Sequence, residues 1–314
     1  MNISKFSCPD QSKRGFQMNK RGLYIGPAGW SYKDWEGIVY PHIEGKDFNH
    51  LRFISEIFDA VEINSSFYNP PHASTTQKWI SLVTKNPNFL FTYKLWRKFT
   101  HDIENSVTVE DEQFVKSGLD VIKESGRLGA TLIQLPWSFK NSIKNKSKLA
   151  KILESFRDYH PVVEIRHGSW DNTEFYEFLR DNKAGFVNID QPVIGKSIAF
   201  SAIATGDVGY MRLHGRNYQN WFREDQDPAS RYDYIYNVTE LGEICSRLED
   251  LMTNVPKTFM IFNNHYKGQA IANALQTMFI FTKEKINVPP TMLTFYPELI
   301  NISRTSNGAQ IDLF

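Results

Sequence analysis

Cysteine is scarce in this sequence, and so are long apolar runs and net charge of either sign. Only Cys8 and Cys245 occur in 314 residues, without the spacing of a metal site, so a reduced, cytoplasmic setting is expected rather than a disulfide framework. No apolar stretch approaches the roughly 20 residues of a membrane helix, and the polar N-terminal stretch lacks the hydrophobic region of a signal peptide. A formal net charge of +1 gives no bulk attraction for nucleic acid. We therefore expect neither a membrane nor a nucleic-acid partner.

What the sequence does contain is an alternation of short β-rich runs with helical patterns. The runs predict strands at residues 23–26, 60–65, 89–95, 130–135, 161–166, 185–190, 208–214 and 257–263. Apolar residues at helical spacing predict helices at residues 47–58, 74–84, 114–122, 149–156, 174–182, 236–251 and 268–282. The sixth connection, residues 193–205, contains Gly, Ser and Ala, so its helix is the least supported of the series.

This alternation predicts an α/β fold, a single (β/α)₈ TIM-like barrel with a parallel eight-stranded core. An open doubly wound sheet is the alternative, but a tight Gly-Pro-Ala-Gly turn at residues 26–29 stands where a dinucleotide-binding glycine motif would follow the first strand. The predicted organisation is a flexible N-terminal extension at 1–21, the barrel domain at 22–300 and a C-terminal tail at 301–314. A long aromatic loop at 216–234 is expected to lie over the barrel mouth.

Polar residues occupy alternate positions near the C-terminal ends of several strands, where a buried strand normally carries aliphatic side chains. Since successive strand residues point to opposite faces, four same-face pairs result: Glu62 with Asn64, Glu164 with Arg166, Asn188 with Asp190, and Arg212 with His214. The residues between them are apolar, so we expect the polar faces to converge on one centre. Active sites of (β/α)₈ enzymes lie at this end of the strands, which makes these side chains candidates for function.

The candidates divide by the chemistry of their side chains. Groups suited to acid and base catalysis are Glu62, Glu164, Asp190 and His214. Groups suited to binding a substrate are Trp30, Tyr32, Asn64, Lys94, Gln134, Arg166, Arg212, Asn263, Asn264 and His265. Structural roles stay open for all of them, because buried charges can neutralise one another, amides and imidazoles can hydrogen-bond to turns, and aromatics can pack in the core.

A divalent metal and an anion compete as the ligand of these groups. Oxygen and nitrogen ligands for Mg²⁺, Mn²⁺ or Zn²⁺ are available from Glu62, Glu164, Asp190, His214 and His265. Lys94, Arg166 and Arg212 would compete with a metal for the carboxylates, and such cations suit a phosphate or carboxylate better. We therefore predict no cofactor and a small anionic ligand, with a divalent metal as the less favoured alternative.

Several motifs resemble those of the YecE-like proteins, catalogued as domain of unknown function 72. In order they are IGPAGWSYKDWEGIVYP from 25, FDAVEINSSFYNPP from 58, FTYKLWRKFTH from 91, LIQLPWSF from 132, VVEIRHGSW from 162, YMRLHGR from 210 and IFNNHYKGQAIANA from 261. The resemblance covers residues 23–284 and implies a (β/α)₈ barrel without an established reaction. The chain departs from the family pattern at Pro27-Ala28, at Leu95-Trp96 and at His265, which border the predicted mouth and can alter ligand choice.

The leading functional hypothesis is an enzyme that acts on a small anionic, hydroxylated ligand such as a sugar phosphate, as a hydrolase, isomerase or lyase. Glu62, Glu164 or Asp190 would be the base, His214 the acid, and the cations would hold the anion. The alternatives are a phosphodiester-acting nuclease or repair-type barrel and a non-catalytic ligand-binding barrel. The sequence leaves the oligomeric state open.

Overall fold

Eight parallel strands form the centre of the computed structural model, which describes residues 22–41, 48–102, 107–219, 221 and 228–304. They are β1 Leu23–Pro27, β2 Ala60–Ile63, β3 Leu90–Lys94, β4 Leu128–Gln134, β5 Pro161–Glu164, β6 Gly185–Asp190, β7 Val208–Leu213 and β8 Lys257–Phe262. The predicted (β/α)₈ barrel is therefore confirmed, and every strand begins and ends within two residues of its predicted bounds. The predicted extension at 1–21 and the tail beyond 304 lie outside the described residues.

Helices connect most of the strands and pack outside the barrel. They are α1 His50–Ser55, α2 Ala73–Leu82, α3 Arg97–Thr100, α4 Val109–Glu124, α5 Ile143–Ser155, α6 Thr173–Asp181, α7 Val238–Met252, α8 Gln269–Thr282 and α9 Pro290–Phe295. Capping boxes begin α4 and α7, where Thr108 and Asn237 each exchange hydrogen bonds with the acidic residue three positions later. Such boxes satisfy backbone N–H groups that the first turn leaves unpaired.

The sixth connection contains no helix, as its small residues indicated. Residues 191–207 run as an irregular segment, and Asn188 holds this segment against β6. The Asn188 amide accepts hydrogen bonds from Ser201 Oγ at 2.7 Å and Ile203 N at 2.8 Å, and it donates to Ile203 O at 3.0 Å. One amide side chain thus satisfies backbone groups that a helix would have satisfied internally.

The register of β6 explains why one predicted polar pair does not reach the centre. Ile189 lies opposite Arg212, and Asp190 lies opposite Leu213. Side chains that are paired across parallel strands point to the same face, so Ile189 faces the barrel interior with Arg212 and Asp190 faces outward. The expectation that Asn188 and Asp190 converge on the polar centre was therefore wrong, because alternation alone does not say which face of a strand is inside.

The barrel closes between β1 and β2. Ala28 and Glu62 form an isolated parallel bridge, and Gly29 N donates to Glu62 O at 2.9 Å. Gly26 permits the close approach of these strands, since a Cβ atom there would lie 1.8 Å from the Ala60 carbonyl oxygen. Glycine is thus required at position 26 because β2 lies so close, and not because the backbone angles are strained.

Two chain segments outside the strands also contact the barrel. The described part of the aromatic loop brings Trp221 and Tyr232 over the mouth, with ring centroids 6.1 and 6.3 Å from that of His214. Residue 220 and residues 222–227 of this loop lie outside the described residues. At the C-terminus, Ile302 is buried and Arg304 N donates to Ile286 O at 2.7 Å, so residues assigned to the predicted tail pack on the barrel as far as 304.

Replacing Gly26 with alanine tests the closure. We expect Gly26→Ala to lower the free energy of unfolding by about 1–3 kcal/mol or more, because the new methyl group must push β1 away from β2. The matched control is Gly242→Ala, on the open side of α7, where a Cβ atom meets nothing within 4 Å. That control should raise stability by up to about 1 kcal/mol through helix propensity. Urea unfolding measures both, and similar effects of the two changes would contradict the assignment.

Candidate functional site

Arg212 is the centre of the polar cluster inside the barrel mouth. Its Nε and Nη2 atoms donate to the two oxygens of Glu62 at 3.0 and 2.7 Å, a bidentate pair. Nη1 donates to Glu164 Oε2 at 3.1 Å. All three side chains are at most 1% exposed. The guanidinium group therefore joins carboxylates from β2 and β5 across the barrel, in the geometry that such pairs favour.

Both carboxylates have further donors. Tyr210 OH donates to Glu62 at 3.0 Å, and Arg166 donates to Glu164 Oε1 through Nε at 3.1 Å and Nη2 at 2.8 Å. Burial opposes ionisation of Glu164, but the Arg212 and Arg166 guanidinium groups outweigh it and hold the pKa of this carboxyl well below its usual value. Glu164 is therefore a poor proton acceptor at neutral pH.

His214 lies beneath the mouth rather than on its surface. Its Nε2 atom is 3.3 Å from both Arg166 Nη2 and Arg212 Nη1 and 3.4 Å from Glu164 Oε1, while the Asn263 amide lies 3.0 Å from Nδ1. Complete burial and then the charge of Arg166 lower the pKa of His214 to about 3. The ring is neutral at physiological pH and is enclosed by these partners.

A cavity of about 430 Å³ opens above this cluster. The predicted site residues that line it are Tyr32, Asn64, Lys94, Gln134, Arg212, Asn263 and His265. The other lining residues are Phe67, Tyr68, Arg97, His101 and Tyr232. Phe67, Tyr68 and Arg97 were missed as candidates, although they lie in the motifs that directly follow β2 and β3 and so stood at the correct strand ends.

Lys94 differs from the other cations of the cluster because its ammonium has no hydrogen-bond acceptor among the described residues. Its Nζ atom instead lies 4.1 Å from the centroid of the Phe67 ring. Burial, followed by repulsion from Arg212, lowers the pKa of Lys94 to about 7. Burial and the nearby Lys94 also lower the pKa of His101 to about 4. Lys94 is thus a cavity group whose charge changes near neutral pH.

Aromatic rings form one side of the cavity and continue into a neighbouring groove. The His265 ring stacks on Tyr32 with centroids 4.4 Å apart and planes inclined by 10°. The groove, of about 390 Å³, shares Tyr32, Asn64 and Tyr68 with the cavity. It extends to Trp30, whose ring meets Trp79 edge to face at 5.2 Å. Trp30 therefore lines the adjoining groove and not the cavity itself.

Two further candidates lie in separate networks. Both carboxylate oxygens of Asp190 accept hydrogen bonds from Arg216 Nε at 3.0 Å, and one also accepts a hydrogen bond from Tyr236 OH at 2.6 Å. These hydrogen bonds hold the chain segment that follows β7. Asn264 donates to Tyr234 O and to Asn273 Oδ1, each at 2.9 Å. Both side chains are buried in these contacts, so the structure does not bring them to the cavity.

The described residues contain no group of three or more His, Cys, Asp or Glu side chains placed to hold a metal ion. The oxygen and nitrogen set considered from the sequence is split, because Asp190 faces away and the glutamates bind arginines. The expectation that no cofactor is needed stays a prediction. In the same part of the chain, no helix has both the length and the apolar character to cross a membrane.

Comparison with known proteins agrees with the fold and the motifs. A family model described as "Protein of unknown function DUF72" matches residues 24–293. The chain belongs to this family. Among solved structures, a DUF72 family protein from Thermotoga maritima MSB8 is 36% identical, with a TM-score of 0.72 over 82% of this chain and 98% of its own.

Two other relatives are more distant. A DUF72 family protein from Enterococcus faecalis V583 is 24% identical, with a TM-score of 0.72 over 85% of this chain and 98% of its own, and shows the shared fold. UPF0759 protein YunF from Bacillus subtilis (strain 168) is 27% identical over 287 residues, which are 87% of this chain and 100% of YunF. These names assign no reaction, so the function of this DUF72 protein rests on its own side chains.

Replacing Glu164 with glutamine tests the buried ion pairs of this DUF72 protein. We expect a loss of about 3–5 kcal/mol at neutral pH, since two guanidinium groups lose a shared counter-charge. The control is Glu284→Gln, which breaks a half-exposed pair with Arg304 at 3.5 Å and should cost less than about 1 kcal/mol. In the wild type the Glu164 contribution is full above the ordinary pKa of 4.5 and falls as pH drops below it. Denaturant unfolding at several pH values measures these effects, and equal losses in the two variants would count against the network.

The pH dependence of stability tests the environment of Lys94. The folded protein loses this proton near pH 7, whereas the unfolded chain keeps it up to the ordinary pKa of 10.5. Between these values the unfolded state binds more protons, so the free energy of unfolding of the wild type should rise with pH relative to Lys94→Met. Urea unfolding from neutral to alkaline pH measures the difference. The control Lys78→Met, which removes an exposed lysine on α2, should follow the wild type; the same slope in Lys94→Met would refute the assignment.

Proposed function

We propose that the mouth cavity binds a small anionic, hydroxylated molecule such as a sugar phosphate, and that the protein acts on this molecule as an enzyme. The observation that carries the proposal is the charge of the cavity wall. Lys94, Arg97 and Arg212 line it, and no Asp or Glu is among its described lining residues. An anion in this cavity meets several cations without a like charge at its surface.

The size and the neutral groups of the cavity also support a small hydroxylated ligand. Its volume of about 430 Å³ falls in the range of small-molecule sites. Asn64, Gln134 and Asn263 supply amides, and Asn64 Oδ1 is buried without a partner among the described residues. The stacked rings of Tyr32 and His265 offer a flat surface for the apolar face of a sugar.

The proton-transfer role belongs with Lys94 in this proposal, not with the acidic residues. Glu164 is held in its ionised form by two arginines, Asp190 serves another network, and His214 is enclosed beneath the cavity. Lys94 borders the ligand space and titrates near neutral pH. Arg97 would hold the anionic group, while Arg212 lines the cavity with its charge already paired to Glu62 and Glu164.

Calorimetric titration of ribose 5-phosphate, with ribose as the uncharged comparison, tests the binding site. We expect Arg97→Ala to raise the Kd for ribose 5-phosphate about tenfold or more, since a hydrogen bond to a charged group contributes about 1.5–3 kcal/mol. Arg157→Ala is the control, because Arg157 is exposed, pairs with Glu154 and precedes β5 at the opposite end of the barrel. Both variants remove one positive charge.

Two outcomes would overturn this proposal. The first is equal affinity for ribose and its phosphate, and the second is an equal loss of phosphate binding in both variants. Phosphorus NMR of the same mixtures separates an enzyme from a barrel that only holds its ligand, because only an enzyme converts the bound compound.

A further inference from the structure

We propose that the ε-amine of Lys94 forms an imine with a carbonyl group of the ligand, so that the substrates of this cavity are phosphorylated hydroxy-aldehydes or hydroxy-ketones. The inference rests on the proposed anion site and narrows its substrate class. It assigns to Lys94 a covalent role that an electrostatic contact with an anion does not require.

The backbone fixes Lys94 at the floor of the cavity. Lys94 is the last residue of β3, and Ser66 Oγ lies 2.6 Å from its carbonyl oxygen and 2.7 Å from that of Ile63, with the hydroxyl as donor. This contact joins the ends of β2 and β3 and positions Phe67, whose ring lies under the amine. Lys94 as a residue is only 8% exposed, and it lines the cavity.

The amine has no hydrogen-bonded carboxylate among the described residues, because the arginines bind both nearby carboxylates, whose attraction offsets the effect of burial only in part. Glu62 is bound by Arg212, and Glu164 is bound by Arg212 and Arg166. No described carboxylate or amide accepts a hydrogen bond from Lys94 Nζ. With burial and the positive charge of Arg212 acting together, much of the amine is neutral near pH 7 and has a free lone pair.

A lysine that only holds an anion is best served by a permanent charge. Arg97 and Arg212 already supply such charges at the same cavity. Burial and the absence of a hydrogen-bond acceptor among the described residues favour the neutral amine, which is the nucleophilic form, against the weaker attraction of the Phe67 ring face for the charged form. The arrangement thus separates anion binding, by arginines, from covalent chemistry, by lysine.

The step needs no oxidant or reductant. The nitrogen lone pair attacks the carbonyl carbon, an N–C bond forms, and a proton passes from nitrogen to oxygen to give a carbinolamine. The C–O bond then breaks, and the hydroxyl group departs as water together with the second proton of the nitrogen. A C=N bond remains. Once protonated, the imine withdraws electrons from the adjacent C–H or C–C bond, so the chemistry favours an isomerase or a lyase over a hydrolase.

Two buried amide oxygens also adjoin the cavity. Asn64 Oδ1 and Asn263 Oδ1 are buried and have no hydrogen-bond partner among the described residues. Both residues line the same cavity as Lys94. An unpartnered buried polar atom costs free energy, which a ligand hydroxyl or the carbinolamine O–H would recover.

Reductive trapping tests the inference. The full chain is mixed with dihydroxyacetone phosphate and sodium borohydride, and the modified residue is located by tandem mass spectrometry of peptides. We expect a secondary-amine adduct on Lys94, formed more readily as pH rises through 7, and its loss in Lys94→Met. The control Lys98→Met should keep the adduct, since Lys98 pairs with Asp111 and does not line the cavity.

Titration with sn-glycerol 3-phosphate separates this inference from the proposed function. This compound carries the same phosphate and chain but has an alcohol in place of the carbonyl. If both compounds bind but borohydride traps no adduct on Lys94 of the wild type, imine formation is excluded and the anion site stands. If neither binds, both proposals fail. Adducts spread equally over exposed lysines would also overturn the inference, and this wild-type measurement holds even where Lys94→Met does not fold.

Discussion

The buried guanidinium group of Arg212 is the constraint on which the mouth of this barrel depends. A cation without access to water must be neutralised, and Glu62 and Glu164 do so from β2 and β5, neither of which is adjacent to β7. The contacts therefore join strands across the interior, above a layer where Phe259 packs between Tyr24 and Tyr210. The ion pairs decide which polar groups are left for a ligand.

That division moves chemical reactivity away from the acidic residues. Glu164, which is held by two arginines, does not accept a proton readily at neutral pH and could not coordinate a metal without losing those partners. What borders the cavity is a set of cations and amides, with Lys94 as the member that lacks an acceptor among the described residues. The same network that stabilises the mouth thus leaves the Lys94 amine at the cavity without a hydrogen-bond acceptor among the described residues.

The barrel and most of its polar ring could be predicted because both follow from alternation along short strands. Polar residues on β2, β5 and β7 met as expected. The polar residues of β6 do not join them, because a period of two is the same whichever face of a strand is inside. Asn188 and Asp190 instead accept hydrogen bonds from Ile203 and Arg216 outside the barrel interior. Phe67 and Arg97 lie in short helical segments directly after their strands and carried no periodic signal to mark them as lining residues.

The amino-acid sequence by itself determined the (β/α)₈ barrel, its family and the set of charges near the C-terminal strand ends, because these depend on local patterns and on the spacing of motifs. Only the tertiary structure decided which charges neutralise one another. Pairing depends on strand register and on distances of about 3 Å between side-chain atoms of residues far apart in sequence. These distances determine that Glu62 and Glu164 are bound by Arg212, while Lys94 lines the cavity.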